Sequence, residues 1–107
     1  MLKVLEPQAF EVELQSDDVP LLVAFLKRNE RFRGQYSALD EASVRFGARL
    51  RCFLYDTDYL DMELNRFQVK GTPTFLLFSD GREVDRLIGE SDRETLEDFI
   101  RDALDRK

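Results

Sequence analysis

Val69-Lys70-Gly71-Thr72-Pro73-Thr74-Phe75-Leu76-Leu77-Phe78 sets a chain break directly against an apolar run. Gly71-Thr72-Pro73 cannot continue a helix, because proline lacks an N–H donor and restricts the residue before it. Thr74 to Phe78 then reads as a strand. Ser79-Asp80-Gly81-Arg82 carries the Asp-Gly hairpin signal, and a second strand runs from Glu83 to Ile88 until Gly89 ends it. Ser91-Asp92-Arg93-Glu94 has the form of a capping box. Leu96, Phe99, Ile100, Ala103 and Leu104 lie on one face of a final helix.

Upstream, Asp56-Thr57-Asp58 reads as a turn, and Asp58 is placed to cap a short helix carrying Leu60, Leu64 and Phe67. Leu50 to Tyr55 is an apolar strand. Phe32, Tyr36, Leu39, Ala42 and Phe46 recur at helical spacing before Gly47. Pro20 to Leu26 is a nearly continuous apolar run, as in a strand buried on both faces. Phe10 to Leu14 reads two ways. Its alternation slightly favours a strand, while Pro7 and the Phe10/Leu14 spacing suit a first helical turn. Alternating elements followed by a terminal hairpin and helix imply an α/β fold. Four to five strands would form a mixed sheet with helices on both faces.

At 107 residues the chain is read as one domain with its own core, and nine phenylalanines against no tryptophan give that core aromatic bulk. The net charge of −6 argues against nucleic acid as the default partner. Charge is uneven: Lys27 to Arg51 holds seven basic and three acidic residues. No apolar run is long enough to span a bilayer and no leader is visible, so the expected location is cytoplasmic. With no histidine, the commonest general base is missing. One cysteine, Cys52, excludes dithiol chemistry within the chain, and no cofactor or metal is expected.

Val19-Pro20-Leu21-Leu22-Val23-Ala24-Phe25, Leu39-Asp40-Glu41, Asp56-Thr57-Asp58 and above all Val69 to Phe78 resemble the corresponding segments of the thioredoxin family. The resemblance runs from about Phe10 to Leu104 and implies the thioredoxin fold over a single domain, 1–107. It also places Phe10 to Leu14 in a helix. The family's redox residues do not carry over. Its first cysteine falls on Glu30, its second on Arg33 or Gly34, and the flanking tryptophan on Asn29. Its buried aspartate becomes Ala24 and the lysine paired with it becomes Leu54. An unpaired buried carboxylate costs several kcal/mol, roughly; without thiols to serve, an apolar pair costs less. The thiols and their proton relay are therefore read as lost together.

The resemblance implies a cis peptide before Pro73 and a Thr72 backbone free to pair with bound peptide; the alternative is that Pro73 only shapes the chain before the strand. Lys27, Arg28, Arg31 and Arg33 sit where a helix N-terminus favours anions, or else form a solvated basic loop. Phe32 is either the first core residue of that helix or an exposed anchor. Cys52 reads as a small buried residue or, less favoured, a reactive monothiol. Asp56, Asp58, Asp61 and Glu63 lack calcium-loop spacing and read as capping and solvation.

The favoured expectation is a redox-inactive adaptor or chaperone-like factor. It would bind a protein or peptide, with an acidic segment as one fit, through Asn29, Glu30, Arg31, Phe32, Arg33, Thr72, Pro73 and Gly89. Cysteine-free thioredoxin-like domains of bacterial hydrogenase-maturation proteins set a precedent, although no residue here assigns the chain to them. The alternatives are a monothiol oxidoreductase or anion-binding enzyme of the same superfamily, and a structural subunit with an oligomer contact.

Overall fold

The computed structural model describes residues 2–15, 19–55 and 66–105. Five strands form one mixed sheet: β1 (Lys3–Leu5), β2 (Leu21–Phe25), β3 (Arg51–Tyr55), β4 (Thr74–Ser79) and β5 (Arg82–Ile88). Their spatial order is β1-β3-β2-β4-β5, with β1, β3 and β2 parallel and β4 and β5 antiparallel additions. Three helices are described: α1 (Pro7–Gln15), α2 (Phe32–Phe46) and α3 (Arg93–Asp105). A short 3₁₀ turn, Gly47–Arg49, follows α2.

β2 is the spine, every residue of it buried. The pleat sends alternate side chains to opposite faces, so one apolar run feeds two cores. Leu22 and Ala24, with Leu26 just beyond the strand, join Leu54, Phe75, Leu77, Leu39 and Ile100 beneath α2 and α3. Leu21, Val23 and Phe25 join Leu5, Phe10, Tyr55, Leu76 and Phe78 beneath α1. The second core is aromatic: Phe10 stacks on Phe67 at 5.0 Å and meets Phe78 edge-on at 5.3 Å.

Phe10 to Leu14 is helical, as the family resemblance implies; Pro7 opens α1, and burying Phe10 against the sheet outweighs the local alternation. Gly47 closes α2 at φ +54°, and Asp80 and Gly81 at +55° and +81° turn the β4–β5 hairpin. The capping box at α3 differs from expectation. Asp92, not Ser91, supplies the cap, accepting the Thr95 N–H at 2.8 Å on Oδ1. Ser91 is buried and otherwise engaged, its hydroxyl donating to the Gly89 carbonyl. The expected turn at 56–58, the acidic run and most of the short helix after it lie outside the described residues.

Candidate functional site

β2 delivers the chain at Leu26 into the basic loop, and α2 begins at Phe32. The loop is tightly wound. The Asn29 N–H donates to the Lys27 carbonyl, the Arg31 N–H to Asn29 Oδ1 at 3.0 Å, and the Phe32 N–H to the Asn29 carbonyl. Lys27, Arg28, Asn29, Glu30, Arg31 and Arg33 are exposed. Lys27, Arg28 and Arg33 have no carboxylate partner among the described residues. Arg31 has one: its Nε lies 3.5 Å from Glu90 Oε2. Phe32 is half-buried against the core and 5.9 Å from Tyr36, with the Arg28 guanidinium 4.9 Å over its ring. It is the first core residue of α2 and also the floor under a cation.

The second wall comes from the segment before β4. The Thr72–Pro73 peptide is cis. Pro73 is buried, and its carbonyl accepts the Gly89 N–H at 2.9 Å. Thr74 Oγ1 donates to the Gly71 carbonyl at 2.7 Å. Thr72 is half-buried, and neither its N–H nor its C=O has a hydrogen-bond partner among the described residues. Backbone groups in folded chains are nearly always paired or solvated, so solvent is left to satisfy both.

Loop and platform meet. Leu26, Lys27, Asn29, Arg31, Phe32, Gln35, Thr72 and Pro73 line one notch of about 10 Å³. That is close to the minimum space for a single water. A small-molecule substrate does not fit inside it, whereas a chain laid across the rim touches both walls. Glu30 on the loop and Arg33 in the first turn of α2 lie outside this lining, and Gly89 borders it through its bond to Pro73.

Three residues of the site escaped the sequence reading. Gln35 is 5% exposed, and its side-chain amide brackets Ser91: Nε2 donates to the Ser91 carbonyl and Oε1 accepts the Ser91 N–H, each at 3.1 Å. The signal was present, since Gln35 occupies the same helical stripe as Leu39, Ala42 and Phe46. Glu90 and the exposed Ile88, paired opposite Thr74, had no such signal.

Ala24 and Leu54 are direct partners in the β2–β3 ladder, 0% and 3% exposed, with apolar neighbours. Cys52 is elsewhere. It pairs with Leu22, four residues down β2 from Leu26, or roughly 13 Å along the strand. The residue is half-buried, not fully buried as expected, and desolvation pushes its thiol up to about 12, far from the range of reactive cysteines. Among the described residues, no three His, Cys, Asp or Glu side chains are placed to hold a metal ion. Nor, among the described residues, is any helix long and apolar enough to cross a membrane.

The family model for thioredoxin matches residues 1–102, and the chain belongs to the thioredoxin family. It is 28% identical over 97 residues to the protein named thioredoxin M4, chloroplastic, of Arabidopsis thaliana. That alignment covers 90% of this chain and 50% of the relative, so the chain spans about half of that protein's length.

Proposed function

We propose that this protein is a redox-inactive member of its family that binds an extended peptide or protein segment. The segment would pair with Thr72 across the rim formed by Asn29 to Arg33, Pro73 and Gly89. The observation that carries the reading is the unpaired Thr72 backbone facing a basic loop across a notch too small for a metabolite. Strand addition draws affinity from main-chain hydrogen bonds and specificity from flanking side chains. Here those side chains are cationic, which favours an acidic segment.

The role proposed is that of an adaptor or chaperone-like factor. The chain's single cysteine suits a reducing compartment such as the cytoplasm. The monothiol alternative is less favoured, because Cys52 is distant from the rim and desolvation raises its thiol pKa to about 12. Titration of an acidic extended peptide, followed by amide NMR, tests the proposal. The expected result is a shifted Thr72 amide and binding that weakens with salt and with the double reversal Arg31→Glu/Arg33→Glu. Binding that leaves the Thr72 amide unmoved, or that survives the reversal unchanged, refutes it.

A further inference from the structure

Resting on the binding edge proposed above, the geometry points to Glu90 as a built-in competitor that occupies Arg31 until a partner's carboxylate displaces it. Residues on both sides of Glu90 are fixed. The Gly89 N–H is bonded to the Pro73 carbonyl, and both backbone groups of Ser91 are held by the buried Gln35 amide. Arg31 is fixed as well: its N–H is bonded to Asn29 Oδ1 and its carbonyl accepts the Gln35 N–H. The carboxylate of Glu90 is therefore presented to the Arg31 guanidinium at the border of the notch, where an incoming acidic side chain would go.

The contact is built to exchange. Its distance is 3.5 Å, and the two side chains are 59% and 57% exposed. Exposed ion pairs of this kind contribute little to stability, so breaking one is easy. Because Glu90 is tethered, however, its effective concentration at Arg31 is high. A free carboxylate with no other contact loses that competition. A segment that also pairs with the Thr72 backbone gains from both and wins it. Glu90 thereby raises the threshold for any carboxylate at Arg31: an extended acidic segment clears it through its added pairing with Thr72, a small anion does not, and a neutral segment leaves the Arg31–Glu90 pair intact and is unaffected by it.

The test uses a fluorescein-labelled eight-residue peptide alternating Asp and Val, with an Asn/Val twin as control, read by fluorescence anisotropy at low salt. Glu90→Gln is expected to tighten the Asp peptide about two- to fivefold, the range set by exposed ion pairs, and to leave the Asn twin unchanged. In an Arg31→Gln background the same substitution should have no such effect. An equal gain in that background means only that a nearby negative charge was removed, and overturns the proposal. Unchanged or weaker binding of the Asp peptide by Glu90→Gln, with the wild type binding normally, overturns it while leaving the binding edge standing. Failure of both proteins to bind the Asp peptide overturns the acidic binding edge and the competitor together.

Discussion

Replacing Ala24 by aspartate puts a carboxyl into the most apolar part of the molecule. Ala24 is fully buried, and its ladder partner Leu54 is 3% exposed. Leu22, Leu26, Phe75 and Leu77 lie in the same core. The buried members of that core are all apolar, so desolvation dominates and the new carboxyl titrates high. A rise of about 3 units above the usual 3.9 is within the range for fully buried acids. At 1.36 kcal/mol per unit, the penalty at neutral pH is about 4 kcal/mol. The sign follows from linkage. The folded-state pKa is raised, so folded Ala24→Asp holds a proton that the unfolded chain releases. The deficit is small below about pH 4, grows as pH rises through the window to about 7, and is constant above it.

Steric crowding adds about 1–3 kcal/mol at every pH. Urea denaturation at pH 4 and pH 7.5, each against wild type, separates the two parts. Adding Leu54→Lys supplies a cation directly across the β2–β3 ladder, where neighbouring strands lie about 4.8 Å apart. The double variant should recover part of the pH 7.5 deficit, although Leu54→Lys alone destabilises. An equal loss at both pH values, or strictly additive losses in the double variant, would refute the account of this site as a dry position that needs an apolar pair.

Gln35→Ala removes both partners of the buried Ser91 backbone; a loss of about 2–4 kcal/mol in urea midpoint analysis is expected, and a change below about 0.5 kcal/mol would show that water replaces the amide freely. Cys52 should resist iodoacetamide at pH 7 in the native state, with a thiolate fraction on the order of 10⁻⁵ for a pKa of about 12, and should label readily in urea; fast native labelling contradicts the burial. Asp92→Ala should lower the thermal midpoint by removing the cap of α3. The Thr95 N–H holds the Asp92 carboxyl below its usual range, so the cap is in force above the unfolded-state pKa and weakens as pH falls through the folded-state value. The gap between wild type and Asp92→Ala should narrow on acidification, and a gap that widens would assign the cap to another group.

The sequence by itself determined the order of the described elements, α1 aside, and the absence of a cysteine pair. Strand β2 was legible because burial on both faces leaves an unbroken apolar run, and α2 because its core stripe ends at a glycine with positive φ. A single cysteine excludes a Cys-x-x-Cys pair within these 107 residues without any coordinates. Helix α1 was ambiguous, since nine residues with one fully buried side chain carry too little pattern to outvote an alternation; packing of Phe10 against Tyr55, Phe67 and Phe78 decided it. The cap of α3 was misplaced by one residue because Ser91 is claimed by Gln35, 56 positions away.

Only the tertiary structure brought the basic loop, Thr72-Pro73 and Glu90 to one rim. Strand order places β4 beside β2, so the chain entering Thr74 meets the chain leaving Phe25. The Gln35 amide then draws the segment after β5 against α2. Such contacts span 40 to 60 positions and leave no period in the sequence, because a hydrogen bond depends on where two backbones meet in space, while periodicity records only which face of an element is buried.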